Sequence, residues 1–170
     1  MKTTTLLFVL IVLVCLQFNS CDEKKNTTEL NGGLVNHSEC KSSKSALIMS
    51  DVADSVSCIN YIFDQELKTL YLTHLNAGFN CCPESLYCKI TLNVDTLIIE
   101  ELEKSSNCNC NCLFDLDFEL TGVENQSYYI KFIEPYASGQ TPLLFEIDLS
   151  GTHEGSYCVT RTQYLWGIMK

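Results

Sequence analysis

The chain has 170 residues, 46% of them hydrophobic, with 11 cysteines and a formal net charge of −10 at pH 7. Such acidity argues against nucleic acid or an anionic lipid surface as partner, because both select clustered Lys and Arg. The length suits one domain.

In chain order, Met1-Lys2 precedes an unbroken apolar run of 11 residues, 6–16. One basic residue, a short apolar core and the small Ser20 before Cys21 make the pattern of a secretory signal. The run is too short to cross a hydrocarbon layer of ~30 Å, which takes about 20 apolar residues. Ser20-Cys21, followed by Asp22-Glu23, resembles a bacterial lipoprotein lipobox. It departs from the usual pattern at Phe18, where Leu is commonest, and at Asn19, where a small residue is usual. The resemblance implies removal of residues 1–20 and lipidation of Cys21. The mature chain is then expected at the cell envelope, on either face of the outer membrane. One acyl chain holds only marginally, at ~0.8 kcal/mol per buried CH₂, so the tri-acylated cysteine of such proteins suits a stable anchor. An ordinary secretory signal that leaves Cys21 a plain thiol is the alternative.

Residues 21–45 are polar, rich in Asn, Ser, Lys and Thr, and are expected to form a tether. Only Cys40 hints at attachment to the domain beyond it. From residue 46 to 170 the texture is short alternating segments separated by turn residues, which predicts strands. The expected hairpins pair 58–64 with 67–75, 86–94 with 97–103, 113–123 with 127–134, and 143–149 with 155–162. Residues 96–104 come nearest to a helical alternative. Eight strands with short connections predict an all-β antiparallel sandwich of the immunoglobulin-like kind.

Cys15 leaves with the signal and Cys21 takes lipid. The remaining cysteines are Cys40, Cys58, Cys81, Cys82, Cys88, Cys108, Cys110, Cys112 and Cys158, an odd number. At this density an exported chain is read as a disulfide framework, with at least one thiol left over. Cys40 apart, all are disulfide candidates. Adjacent Cys81 and Cys82 point to opposite faces of a strand and are expected to bond elsewhere, with the Cys108-Asn-Cys110-Asn-Cys112 stretch as partner region. If the strand from Leu113 extends back through this stretch, Cys108, Cys110 and Cys112 share a face with Phe114, Leu116, Phe118 and Leu120, and Cys88 is in phase with Leu86, Ile90, Leu92 and Val94. Core-facing cysteines of this kind predict bridges between sheets, each contributing ~2–4 kcal/mol.

A metal site is the functional alternative. His74 shares a face with Leu70 and Leu72, and together with Cys81, Cys82, Cys108, Cys110 and Cys112 it offers a thiolate/imidazole set for Zn or Cu. Against it, alternate cysteines in a strand lie ~6.6 Å apart, too far for one tetrahedral ion unless the chain turns at an Asn. The row Asp115, Asp117, Glu119 alternates strictly with apolar residues and reads as a solvated strand face rather than a Ca²⁺ site. No protease signature surrounds His74 or any cysteine, so no catalytic residue is assigned and no enzyme is expected. Tyr164 and Trp166 are candidate surface aromatics for a protein or glycan partner.

Together, Asn80-Cys81-Cys82, the Cys108–Cys112 cluster and Gly155-Ser-Tyr157-Cys158 resemble uncharacterised Bacteroidetes-type lipoproteins carrying an Asn-Cys-Cys and a Cys-x-Cys-x-Cys cluster. The resemblance covers residues 46–170 and implies no activity. The expectation is a non-enzymatic envelope module, structural or ligand-binding, without cofactor.

Overall fold

The computed structural model describes residues 29–41, 52–105 and 110–163. Cys21, Cys108, Tyr164 and Trp166 lie outside these. Among the described residues there are nine strands and no helix: β1 (Asn31–His37), β2 (Val56–Asp64), β3 (Thr69–Asn80), β4 (Pro83–Asn93), β5 (Thr96–Ser105), β6 (Asn111–Thr121), β7 (Ser127–Ile133), β8 (Leu144–Asp148) and β9 (Glu154–Thr160). They form two sheets, ordered β1-β6-β3-β2-β9 and β4-β5-β7-β8, packed as a sandwich.

The sandwich follows from period-two burial. On β6, Cys112, Phe114, Leu116, Phe118 and Leu120 are buried, while Asp115, Asp117 and Glu119 take the other face. From the opposing sheet come Leu97 and Ile99 of β5, Ile130 and Phe132 of β7, and Ile147 of β8. Phe118 meets Phe132 edge to face with ring centroids 5.7 Å apart, which joins the two sheets through the centre of the core.

Two of the four expected hairpins, 113–123 with 127–134 and 143–149 with 155–162, do not form, because β6 and β9 belong to the five-stranded sheet and β7 and β8 to the four-stranded one. Three further features differ from the sequence expectation. First, residues 31–37, within the expected tether, form β1, an edge strand antiparallel to β6. Its polar composition suits an edge, which needs only one apolar contact line; Leu34 supplies it. The acidic row of β6 is consequently not a bare solvated face. Asp117 accepts from Thr73 Oγ1 (2.9 Å) and Asn36 Nδ2 (3.2 Å), and Asp115 pairs with Lys41 Nζ (2.5 Å).

Second, β5 and β7 pair in parallel, so the sandwich is not wholly antiparallel. The chain leaves β5 for β6 in the other sheet and returns, which brings β7 back in the direction of β5. Third, a bulge interrupts β3 between His74 and Ala77 in its pairing with β6. Asn76 adopts φ 64° there, a conformation that Asn tolerates better than most residues. The bulge moves the inward phase from Leu70, Leu72 and His74 to Ala77 and Phe79.

Candidate functional site

Two clusters stand out, one of sulfur and one of buried charge. β3 ends at Asn80 in one sheet and β4 starts at Pro83 in the other, so Cys81-Cys82 forms the corner where the chain changes sheets. Asn80 Oδ1 accepts from the Cys82 backbone N–H at 3.1 Å, a local turn that Asn favours. The chain crosses back between β5 and β6, and Cys110 sits just before β6. The Cys81–Cys110 disulfide and a 3.0 Å hydrogen bond from Cys81 N to Cys110 O tie the two crossings together.

Cys58 bonds Cys158 directly across the β2–β9 pair, and Cys40 bonds Cys112. Cys82 is also disulfide-bonded. Three expectations are corrected here. The bridges of Cys58 and Cys112 do not stitch sheet to sheet. Their Cα–Cα spans of 4.0 and 5.6 Å match neighbouring strands, whereas packed sheets stand ~10 Å apart. Cys88, expected in a disulfide, is the free thiol among the described residues. Its register partner on β5 is Glu101, with no cysteine opposite. It is half-buried, and desolvation pushes its thiol above the usual range, helped by the charge of Glu101 against a hydrogen bond with Leu34. Cys40, set aside as part of a tether, takes a bridge instead.

The ligand set expected for a metal divides. The sulfurs of Cys81, Cys82 and Cys110 lie within 4.8 Å of one another. Cys112 is occupied with Cys40. His74 is elsewhere, in the core.

There His74 heads a polar cluster sealed between the sheets. Its Nδ1 lies 2.6 Å from Glu101 Oε1, and its Nε2 lies 2.7 Å from Ser57 Oγ and 3.9 Å from Glu134 Oε1. Arg161 Nη2 donates to both Glu134 oxygens (2.6 and 2.8 Å) and to Ser57 Oγ (3.1 Å), while Nη1 donates to Thr141 O (3.0 Å). Ser57 and His74 are 0% exposed, Glu101 2% and Arg161 5%. Glu101 Oε2 has no hydrogen-bond partner among the described residues.

Burial disfavours the imidazolium, but the charge and hydrogen bond of Glu101 and the charge of Glu134 outweigh burial and Arg161, so the His74 pKa is raised. Glu101 is raised as well, by burial first and by Glu134, against the pull of His74 and Arg161. The pair therefore retains a proton that an ordinary His and Glu together would release.

Ser57, His74 and Glu101 follow the order of nucleophile, base and orienting acid. The Ser57 hydroxyl has no exposed surface and already accepts from the Arg161 guanidinium.

The alternation placed His74 inward, as the structure does. Ser57, Glu101, Glu134 and Arg161 were not anticipated, although a signal was present. Each continues the inward phase of its strand: Ser57 with Ile59, Glu101 with Leu97 and Ile99, Glu134 with Ile130 and Phe132, Arg161 with Val159. Comparison with protein-family models, curated proteins and solved structures gives no match.

Proposed function

We propose that this is an exported, non-enzymatic β-sandwich, lipid-anchored through Cys21 at the cell envelope and serving as a structural or binding module. The observation that carries the reading is the set of three disulfides among the described cysteines, a framework that persists in oxidising compartments and is rare in the cytosol. Sealing of the nucleophile–base–acid arrangement supports the absence of catalysis. The net negative charge of the chain favours a protein or glycan partner over nucleic acid.

The test is metabolic labelling with a palmitate analogue in a Gram-negative host expressing the full chain. Label and membrane association are expected for the wild type, and loss of both for Cys21→Ala. An unlabelled, fully soluble wild-type chain would contradict the anchor.

A second reading is favoured by the approach of Cys81, Cys82 and Cys110. In a reduced chain, three thiolates this close suit a soft ion, Zn²⁺ or Cu⁺. Metal analysis of protein purified without reductant separates the readings: near one equivalent supports the metal, and none supports the disulfides.

A further inference from the structure

The buried charges are sorted by sheet. His74 on β3 and Arg161 just after β9 belong to the five-stranded sheet, as does Ser57 on β2; Glu101 on β5 and Glu134 just after β7 belong to the four-stranded sheet. Every ion pair in the cluster therefore runs from cation on one sheet to anion on the other: His74 to Glu101, His74 to Glu134, and Arg161 to Glu134. The disulfides at Cys58 and Cys112 lie within the five-stranded sheet and do nothing to hold the sheets together at this point. We infer that the cluster is a proton-operated lock between the two sheets, closed when His74 carries a proton on both ring nitrogens.

The charge count decides how many protons the cluster holds. Two carboxylates, one guanidinium and one imidazolium sum to zero. Loss of the imidazolium proton leaves one negative charge uncompensated in a site with almost no exposed surface, and an unpaired buried charge is strongly destabilising. The hydrogen bonds agree. A doubly protonated His74 donates Nδ1–H to Glu101 and Nε2–H to Ser57 Oγ, which also accepts from Arg161.

The charged groups acting on His74 are Glu101 from β5, Glu134 from the end of β7 and Arg161 from the end of β9. β6 contributes Leu116 opposite it, and β7 the ring of Phe132, edge to face at 5.5 Å. His74, Glu101 and Glu134 bring one ligand atom each within 4.8 Å of one another, which also describes a divalent-metal triad. Arg161 argues against that occupant: a dication beside a guanidinium leaves the site net positive, whereas a proton closes the count.

These charges also set the direction of pH dependence. A His whose folded pKa is raised contributes stability that is complete below the unfolded value of 6.5 and is lost as pH climbs through the folded value. The raised pKa of Glu101 acts in the same direction.

The experiment is urea unfolding of the oxidised mature chain between pH 5.5 and 9.5, in a Cys88→Ala background so that no free thiol of the described core titrates. The folding constant is expected to fall by up to about tenfold per pH unit above 6.5, the limit for one proton, or ~1.36 kcal/mol per unit. Glu101→Gln keeps an acceptor for Nδ1–H and removes one negative charge, so neutral His74 with Glu134 and Arg161 is already balanced. The slope should largely vanish in that variant. Ring-nitrogen NMR of the parent protein, which needs no variant to fold, should show His74 doubly protonated at pH 7.5. A flat parent profile, an unchanged slope in Glu101→Gln, a neutral His74 at pH 6, or stoichiometric Zn²⁺ binding that displaces the His74 proton would each overturn the lock.

Discussion

Replacing Cys58 and Cys158 together by Ala tests how much of the fold depends on its longest covalent loop. The two residues are 100 apart in sequence and face each other across β2 and β9. β9 is an edge strand with most of its residues exposed, so it has little core to hold it once the bridge is gone. In the chain-entropy account, opening a loop of 100 residues frees about 4.7 kcal/mol of unfolded-state entropy. The same relation gives about 4.4 kcal/mol for Cys40–Cys112 and about 3.6 kcal/mol for Cys81–Cys110, whose separations are 72 and 29. These values lie close together because closure entropy grows only logarithmically with length. Against a net stability of ~5–15 kcal/mol for a domain, the loss is a large fraction. Urea unfolding without reductant reads it directly, as a loss of that size in the unfolding free energy, with a lower midpoint and a steeper transition from a more expanded unfolded chain. A loss below about 1 kcal/mol would refute the reasoning and place the stability in the apolar core.

Val94, at the tip of the β4–β5 hairpin, has φ 58° and is 89% exposed. A β-branched residue is strained in that region, and Val94→Asn should stabilise by about 1 kcal/mol, raising Tm by ~2–4 °C; an unchanged or lower Tm would count against it. A Cβ on Gly32 would sit 2.6 Å from Glu119 O and 3.0 Å from Leu120 Cα, both backbone atoms of β6 that have nowhere to move. Gly32→Ala is expected to cost ~1–3 kcal/mol and to remove amide-exchange protection from β1 while β3 keeps its own; retained protection on β1 would contradict this. The hydrogen bond from the Tyr136 hydroxyl to the Glu103 carboxylate, with burial and the Glu103 charge behind it, pushes the phenol up to about 12. In Glu103→Gln, ultraviolet titration should find Tyr136 back near 10, and no change would remove Glu103 as the cause.

Alternation made the sandwich legible where both conditions for it held: a strand half-buried on one face and free of bulges. β6 met them, and Cys112 through Leu120 fell in phase as read. β1 did not. Asn31-Gly-Gly-Leu-Val-Asn-His carries no period-two contrast, because an edge strand lying over an acidic row contributes little to the core. The parallel β5–β7 pair was beyond reach as well, since each strand's pattern says which face is buried and not which neighbour it will find.

The polar cluster was hidden by a different cause. Glu101, Glu134 and Arg161 are buried by virtue of each other, so single-residue expectation places each one in solvent. Only the phase shared with neighbouring apolar residues signals otherwise. The disulfide framework was legible as a framework, but its pairing depended on register and on where the chain changes sheets. Cys81 found Cys110 because two crossings meet, a tertiary fact with no local trace.

The most direct measurement is peptide mapping of the unreduced protein after blocking free thiols at low pH. Linked peptides should report Cys40–Cys112, Cys58–Cys158 and Cys81–Cys110, with the blocking group on Cys88. Blocking groups found instead on Cys81, Cys82 and Cys110, in protein that carries a stoichiometric metal ion, would contradict a scaffold held by sulfur bridges.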